Sequence, residues 1–199
     1  MVSHTLLKEI DLSEIPKQTY LIEIGSIREL QPPDSIENST CFLDKLAREH
    51  NLRFITVDLS EYSYKLASSY VGKKAILSDG SEFLKKFKQP ISILYLDNFD
   101  VVYNEIHRQS LMRRVKGVYK KHNEILTNER SAEVHLEQVK VAMPLLTKPS
   151  FIGIDDTMIK MNKWWGKGAK AVPFLLKNGY KIIKIGSDGL ILKGKTKKD

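Results

Sequence analysis

The segment Ile91-Ser92-Ile93-Leu94-Tyr95-Leu96 is apolar almost throughout and stops on Asp97. A run of that kind suits a parallel strand covered on both faces, because a strand with one wet face alternates apolar and polar residues. Parallel strands need crossover connections, so helices must lie between them. Four further segments fit the same scheme. Residues 19–24 lead into Gly25, Arg53-Phe54-Ile55-Thr56-Val57 stops on Asp58, Lys74 to Leu77 meets Ser78-Asp79-Gly80, and Phe151-Ile152-Gly153-Ile154 ends on Asp155-Asp156.

The helices between them announce themselves by caps and spacing. Ser39 or Thr40 caps a helix in which Phe42, Leu43, Leu46 and Ala47 share a face. Ser60 caps residues 61–70, with Glu61 favourable to the dipole, and Gly72 stops them. Helix 81–88 exits at Pro90, and helix 169–178 ends at Gly179. Pro32, Pro33 and Asp34 mark a surface loop over 29–38. Strands 180–185 and 189–193 flank the hairpin signal Ser187-Asp188-Gly189. Residues 101–145 break the alternation with two helices split near Thr127–Arg130, a helical insertion that covers a substrate or forms a dimer surface. Residues 1–18 read as a lead-in, and 195–199 as a flexible lysine-rich tail. The expectation is one domain over 1–199, a three-layer α/β sandwich with a mostly parallel seven-stranded sheet and a C-terminal antiparallel hairpin.

Composition narrows the partners. No stretch approaches the roughly 18 apolar residues of a membrane span. Met1 to Leu12 lack the basic-then-apolar layout of a signal peptide, and a single cysteine, Cys41, fits a reducing compartment, so a cytoplasmic protein is expected. One cysteine also excludes a multi-cysteine zinc site. The net charge of +8 comes from 32 Lys plus Arg against 24 Asp plus Glu, spread along the chain. A solvated lysine-rich surface accounts for it better than a nucleic-acid footprint, which wants a clustered stripe.

The strand ends carry the chemistry. In open α/β sheets ligands bind beyond the carboxyl ends of the strands, where an acid can grip a ribose. Glu23 and Gly25 after one strand and Asp58 after the next suggest a nucleoside-type cofactor. With the elements in place, residues 19–193 resemble the class I S-adenosylmethionine-dependent methyltransferases. The residues that carry the likeness are Ile22-Glu23-Ile24-Gly25-Ser26, Asp58, Ser78-Asp79-Gly80 and Asp97. Ile154-Asp155-Asp156-Thr157, Gly166-Lys167-Gly168 and His135-Leu136-Glu137-Gln138 narrow it towards small-molecule O-methyltransferases of the macrocin and catechol type.

The resemblance implies a Rossmann-like fold, S-adenosylmethionine and, in the metal-dependent branch, a divalent cation such as Mg2+. It implies that Glu23, Gly25 and Ser26 face the methionine part and that Asp58 takes the ribose hydroxyls. Asp79 and Gly80 would lie near the adenine, with Leu59 and Asp97 among the cofactor contacts. Asp97, Asp155 and Asp156 would hold the cation. The usual first motif has two or three glycines; here Gly25 stands alone before Ile27-Arg28-Glu29.

Methyl transfer from a sulfonium needs the nucleophile held in line and, for an oxygen acceptor, a proton removed. Asp97 and His135 are the candidates for catalysis, with Asp100 a competing acid. On its apolar helix, His135 also reads as a structural histidine. Asp155 or Asp156 equally reads as a cap or as a partner of Lys167, whose flanking glycines resemble a phosphate loop lacking the rest of its motif. Trp164-Trp165 in a polar loop is a lid or a plug. Helix 108–122 is basic, but Val115, Val118 and Tyr119 argue that it packs. A fold-retaining protein without activity is the first rival. A nucleic-acid methyltransferase is the second, weakened because Asp97-Asn98-Phe99-Asp100 stands where an Asn-Pro-Pro-Tyr-type motif would be.

Overall fold

The computed structural model describes residues 3–102 and 116–195. Its organising element is a seven-stranded sheet in the order β3-β2-β1-β4-β5-β9-β8. The strands are β1 (Tyr20–Ile24), β2 (Arg53–Asp58), β3 (Ala75–Leu77), β4 (Ile91–Leu96), β5 (Leu146–Asp155), β8 (Lys181–Ile185) and β9 (Gly189–Lys193). β1 to β5 run parallel; β9 is antiparallel to β5 and to β8. All residues of β4 are buried, as its apolar run requires.

Period-two alternation divides these side chains between two cores. Leu21, Ile93, Tyr95, Phe151 and Ile191 face one layer, with α1 (Ser39–Glu49), α2 (Glu61–Val71) and the 3-10 turn Ser3–Glu9. Ile22, Ile24, Leu94, Leu96, Ile152 and Ile154 face the other, with α3 (Gly80–Lys86), α4 (Asn128–Ala142) and α5 (Ala171–Lys177). Each fully buried Leu or Ile contributes about 1.5–3 kcal/mol, so the two faces together hold the sandwich. Among the described residues no helix is long and apolar enough to cross a membrane.

Several local expectations change. The N-cap of α1 is Asn38, whose side chain accepts from the Cys41 N–H at 3.0 Å. Ser39 and Thr40 are drawn to a buried carboxylate instead. Asp79 caps α3 by accepting from the Glu82 N–H at 2.9 Å. β5 starts earlier than expected, at Leu146. The lead-in holds a short 3-10 helix, Ser3–Glu9, whose Ser3, His4, Leu6 and Leu7 are buried. The loop expected around the tryptophans is a two-stranded antiparallel hairpin, β6 (Thr157–Lys160) and β7 (Lys163–Gly166), turning on Met161 and Asn162 at φ 50° and 60°. Residues 116–121 are helical and α4 supplies the second expected helix, capped by Thr127. Most of the first helix of the 101–145 segment, and the tail beyond Lys195, lie outside the described residues.

Candidate functional site

The sheet order reverses direction between β1 and β4, and ligand crevices form at such a switch point. Here the two strand ends come very close. Gly25 sits at φ +94°, and a Cβ on it would lie 2.4 Å from the Asn98 nitrogen and 2.5 Å from the Asp97 carbonyl carbon. Any larger residue would push β4 away from β1.

The chain after Gly25 is held by side chains. The Ser26 N–H and hydroxyl donate to Asp58 Oδ2 at 2.8 and 3.1 Å, and the Ser60 N–H donates to Oδ1 at 2.7 Å. The Ile27 N–H donates to Thr40 Oγ1 at 3.1 Å. Thr40 donates onward to Glu23 at 2.9 Å, and Ser39 donates to the other Glu23 oxygen at 2.7 Å. Burial pushes the Glu23 carboxyl up to about 7, since these hydroxyls only partly replace water around the charge. Burial likewise raises Asp58, against the pull of the Ser60 and Ser26 N–H groups.

A cavity of about 320 Å³ opens over these strand ends. Of the residues expected to contact a cofactor, Gly25, Asp58, Leu59, Asp79, Gly80 and Asp97 line it. Glu23 and Ser26 lie outside the lining: Glu23 is sealed beneath α1, and Ser26 turns to Asp58. The sequence reading missed Arg28, Asn98 and Phe99, and the wall contributed by Tyr119, Arg130 and Val134. The departure from the glycine-rich pattern was the signal for Arg28. Its guanidinium lines the cavity, bonding the Asp100 carboxylate and reaching the Asp97 carbonyl at 3.2 Å. Among the described residues, seven carboxylate side chains and three basic ones, Arg28, Lys85 and Arg130, line the space. Asn98 Oδ1 is a buried acceptor with no hydrogen-bond partner among the described residues.

His135 does not belong to this wall. It is fully buried on α4, its Nδ1 lies 2.7 Å from the Ser131 carbonyl, and its Nε2 has no partner among the described residues. Burial, with Lys167 nearby, brings the imidazole down to about 4. A base needs access to its substrate, so this geometry gives His135 a packing position. The tryptophans are also outside the lining. Trp164 is half-buried and packs against the core on the α4 side, and the Lys160 ammonium lies 3.6 Å from the centroid of Trp165.

The expected cation ligands do come together, for Asp97, Asp155 and Asp156 offer oxygens within 4.8 Å of one another. Lys167 occupies the space among them. Its Nζ lies 2.6 Å from Asp97 Oδ1, 3.0 Å from Asp156 Oδ2 and 3.9 Å from Asp155 Oδ2, and it donates to the Asp97 carbonyl at 3.1 Å. Burial opposes ionisation of Asp97, but Lys167 and then Arg28 outweigh it and hold that carboxyl near 2. Asp155 moves the other way, raised by burial and by the neighbouring Asp97 charge, and its Oδ1 accepts from the Ser3 hydroxyl. A divalent ion does not fit a cluster whose centre holds an ammonium.

The placement of Lys167 follows from the hairpin. β6 and β7 leave from Asp156 and return at Gly166, where φ is +86° and a Cβ would lie 1.9 Å from the Asp156 oxygen. The Lys167 N–H then donates to the Asp156 carbonyl at 3.1 Å, and the Gly168 N–H to Thr157 Oγ1 at 2.8 Å. The glycine pair lets the backbone tuck under the acids, and its N–H groups at Lys167 and Gly168 are spent on Asp156 and Thr157.

No family model matches the sequence, and no curated protein does. Solved structures do match in shape. A structure from Clostridium thermocellum named as a candidate rRNA methylase superposes with a TM-score of 0.53 at 13% identity, over 98% of this chain and 93% of that one. The release-factor-specific protein-(glutamine-N5) methyltransferase of Alicyclobacillus acidocaldarius gives 0.50 at 10% identity, over 98% and 90%. The chain has the Rossmann-like fold seen in these methyltransferase structures, with its seven-stranded sheet and antiparallel C-terminal strands.

Proposed function

We propose that the protein binds S-adenosylmethionine in the switch-point cavity and transfers its methyl group to a small molecule. One observation carries the reading: the cavity opens over the closely apposed ends of β1 and β4, with Asp58 of β2 in its wall and a surplus of carboxylates among the described residues around it. The residues fit the cofactor. Asp58 has three of its roughly four acceptor positions taken, leaving room for a ribose hydroxyl. Leu59 and Val134 offer apolar surface to a base, near Asp79 and Gly80. The unpartnered Asn98 Oδ1 is suited to an ammonium or amide donor. Net negative walls favour a cationic sulfonium and disfavour a polyanion, which supports a small molecule over nucleic acid.

When bound, the cofactor supplies an electrophilic methyl group. The chain's part is orientation. Asp97, kept ionised by Lys167 and Arg28, is an acceptor for the nucleophile's N–H or O–H and a weak base at best. Methylation of an oxygen, which the resemblance suggests, would then need a phenol or similar acidic hydroxyl that gives up its proton easily.

The rival without activity draws on Arg28. The guanidinium stands in the cavity, and the Ser26 and Ile27 N–H groups are already spent on Asp58 and Thr40. Calorimetric titration with S-adenosylmethionine tests the first step. Micromolar binding is expected, and no binding would overturn the proposal. Binding without methyl transfer to any catechol, phenol or amine in a panel would favour the inactive rival.

A further inference from the structure

We infer that Lys167 is a built-in replacement for a divalent cation at the ends of β4 and β5, so that Asp97, Asp155 and Asp156 bind no metal while it is present. The inference does not depend on methyl transfer, because its readout is cation binding. Carboxylate ligands hold Mg2+ or Ca2+ at roughly 2.0–2.6 Å. An ion bridging Asp97 Oδ1 and Asp156 Oδ2 would fall in the volume that Nζ fills, 2.6 and 3.0 Å from those same atoms.

Withdrawal of the lysine is not available as a way out. Its side chain is 0% exposed, and its backbone is fixed between two glycines that touch Asp156 and Thr157. A swing to solvent would strip the ammonium of four oxygen neighbours. Charge points the same way. Arg28 lies 3.7 Å from Asp97 and pairs with Asp100, so fixed cations already answer the acids on both sides of Asp97.

The lysine also does what a metal would do for geometry. It grips the carbonyl and the carboxylate of one residue, Asp97, and so pins the turn that carries Asn98 and Asp100 into the cavity wall. A bound ion ties strand ends together in the same manner, but it can be removed by a chelator. Lys167 cannot.

The experiment compares Mn2+ binding, followed by electron paramagnetic resonance, to the wild-type chain, Lys167→Arg and Lys167→Ala. The wild type and Lys167→Arg should leave Mn2+ free at millimolar concentration. Lys167→Ala should gain one site per chain, and adding Asp156→Asn to that variant should remove it. A merely structural lysine would give the first result without the second. If Lys167→Ala is too unstable in buffer, Mn2+ should raise its melting temperature and leave the wild type's unchanged, since a ligand of the native state stabilises by mass action. Micromolar Mn2+ binding by the wild type would overturn the inference. So would a Lys167→Ala chain that folds without gaining a site, or one that stays unfolded in excess Mn2+.

Discussion

The two halves of the sheet end in the same residue type and treat it differently. On the β2–β3 side, Asp58 and Asp79 accept from backbone N–H groups: Ser26 and Ser60 for the first, Glu82 for the second. On the β4–β5 side, Asp97 and Asp156 are answered by the Lys167 ammonium, and Asp100 by Arg28. Backbone donors satisfy lone pairs and leave the negative charge standing. Cations cancel it. An acid at a strand end is therefore open to a cationic ligand only where the returning chain leaves its charge in place. Glu23, at the end of β1, shows a third treatment, in which burial favours the proton.

The sharpest way to break this contrast is Lys167→Ala. Removing one partner of a buried charge cluster leaves the others uncompensated, at a cost of about 3 to 5 kcal/mol. Urea unfolding near neutral pH should show that loss. A change below about 1 kcal/mol, the level of a surface ion pair, would mean the ammonium is not holding the β4–β5 side together.

Next comes the proton on Glu23. Its carboxyl lies near 7 in the folded chain against 4.5 ordinarily. A raised folded pKa means the stabilising contribution is complete below 4.5 and disappears as the pH climbs through 7, amounting to about 3 kcal/mol. His135 runs oppositely: with its imidazole down at about 4, it contributes above 6.5 and loses that contribution as the pH falls. The wild-type curve therefore mixes the two. Stability of Glu23→Gln minus wild type, measured from pH 4.5 to 8, isolates the carboxyl and should rise by that amount. A flat difference would show that Glu23 ionises normally.

The same contrast explains what could be read in advance. Buried parallel strands carry unbroken apolar runs, so β1 to β5 and their terminal acids were legible, and so was the face on which a cavity would open. The partners of those acids were not. Whether Asp156 meets water, metal or lysine depends on a hairpin whose turn, Met161-Asn162, has no customary turn signal at its first position. Lys167 reaches the acids only once that hairpin has closed. Ser39 and Thr40 carried a true helix-start signal, but a buried Glu23 claimed their hydroxyls and left the cap to Asn38.

Gly166→Ala tests whether the hairpin's return is what delivers the lysine. At φ +86°, with the Asp156 oxygen in the path of a Cβ, the substitution should cost about 1 to 3 kcal/mol in strain. It should also let Mn2+ reach the acids if Lys167 is displaced. A melting temperature equal to the wild type's would show that the backbone has another route.

The smallest change tests the other half. Asp58→Asn keeps the side chain's volume and one oxygen acceptor while removing the charge that the N–H groups of Ser26 and Ser60 leave standing. Folding should lose about 1 to 3 kcal/mol, because the new amide nitrogen faces an N–H that the carboxylate had satisfied. Affinity for S-adenosylmethionine should fall about tenfold, which is about 1.4 kcal/mol. Asp156→Asn, on the cancelled side, should leave that affinity nearly untouched. Equal losses in both variants would mean that the cofactor feels the whole acid cluster, and the division between the two halves would not describe the site. Unchanged affinity for Asp58→Asn alone would show that this charge plays no part in binding.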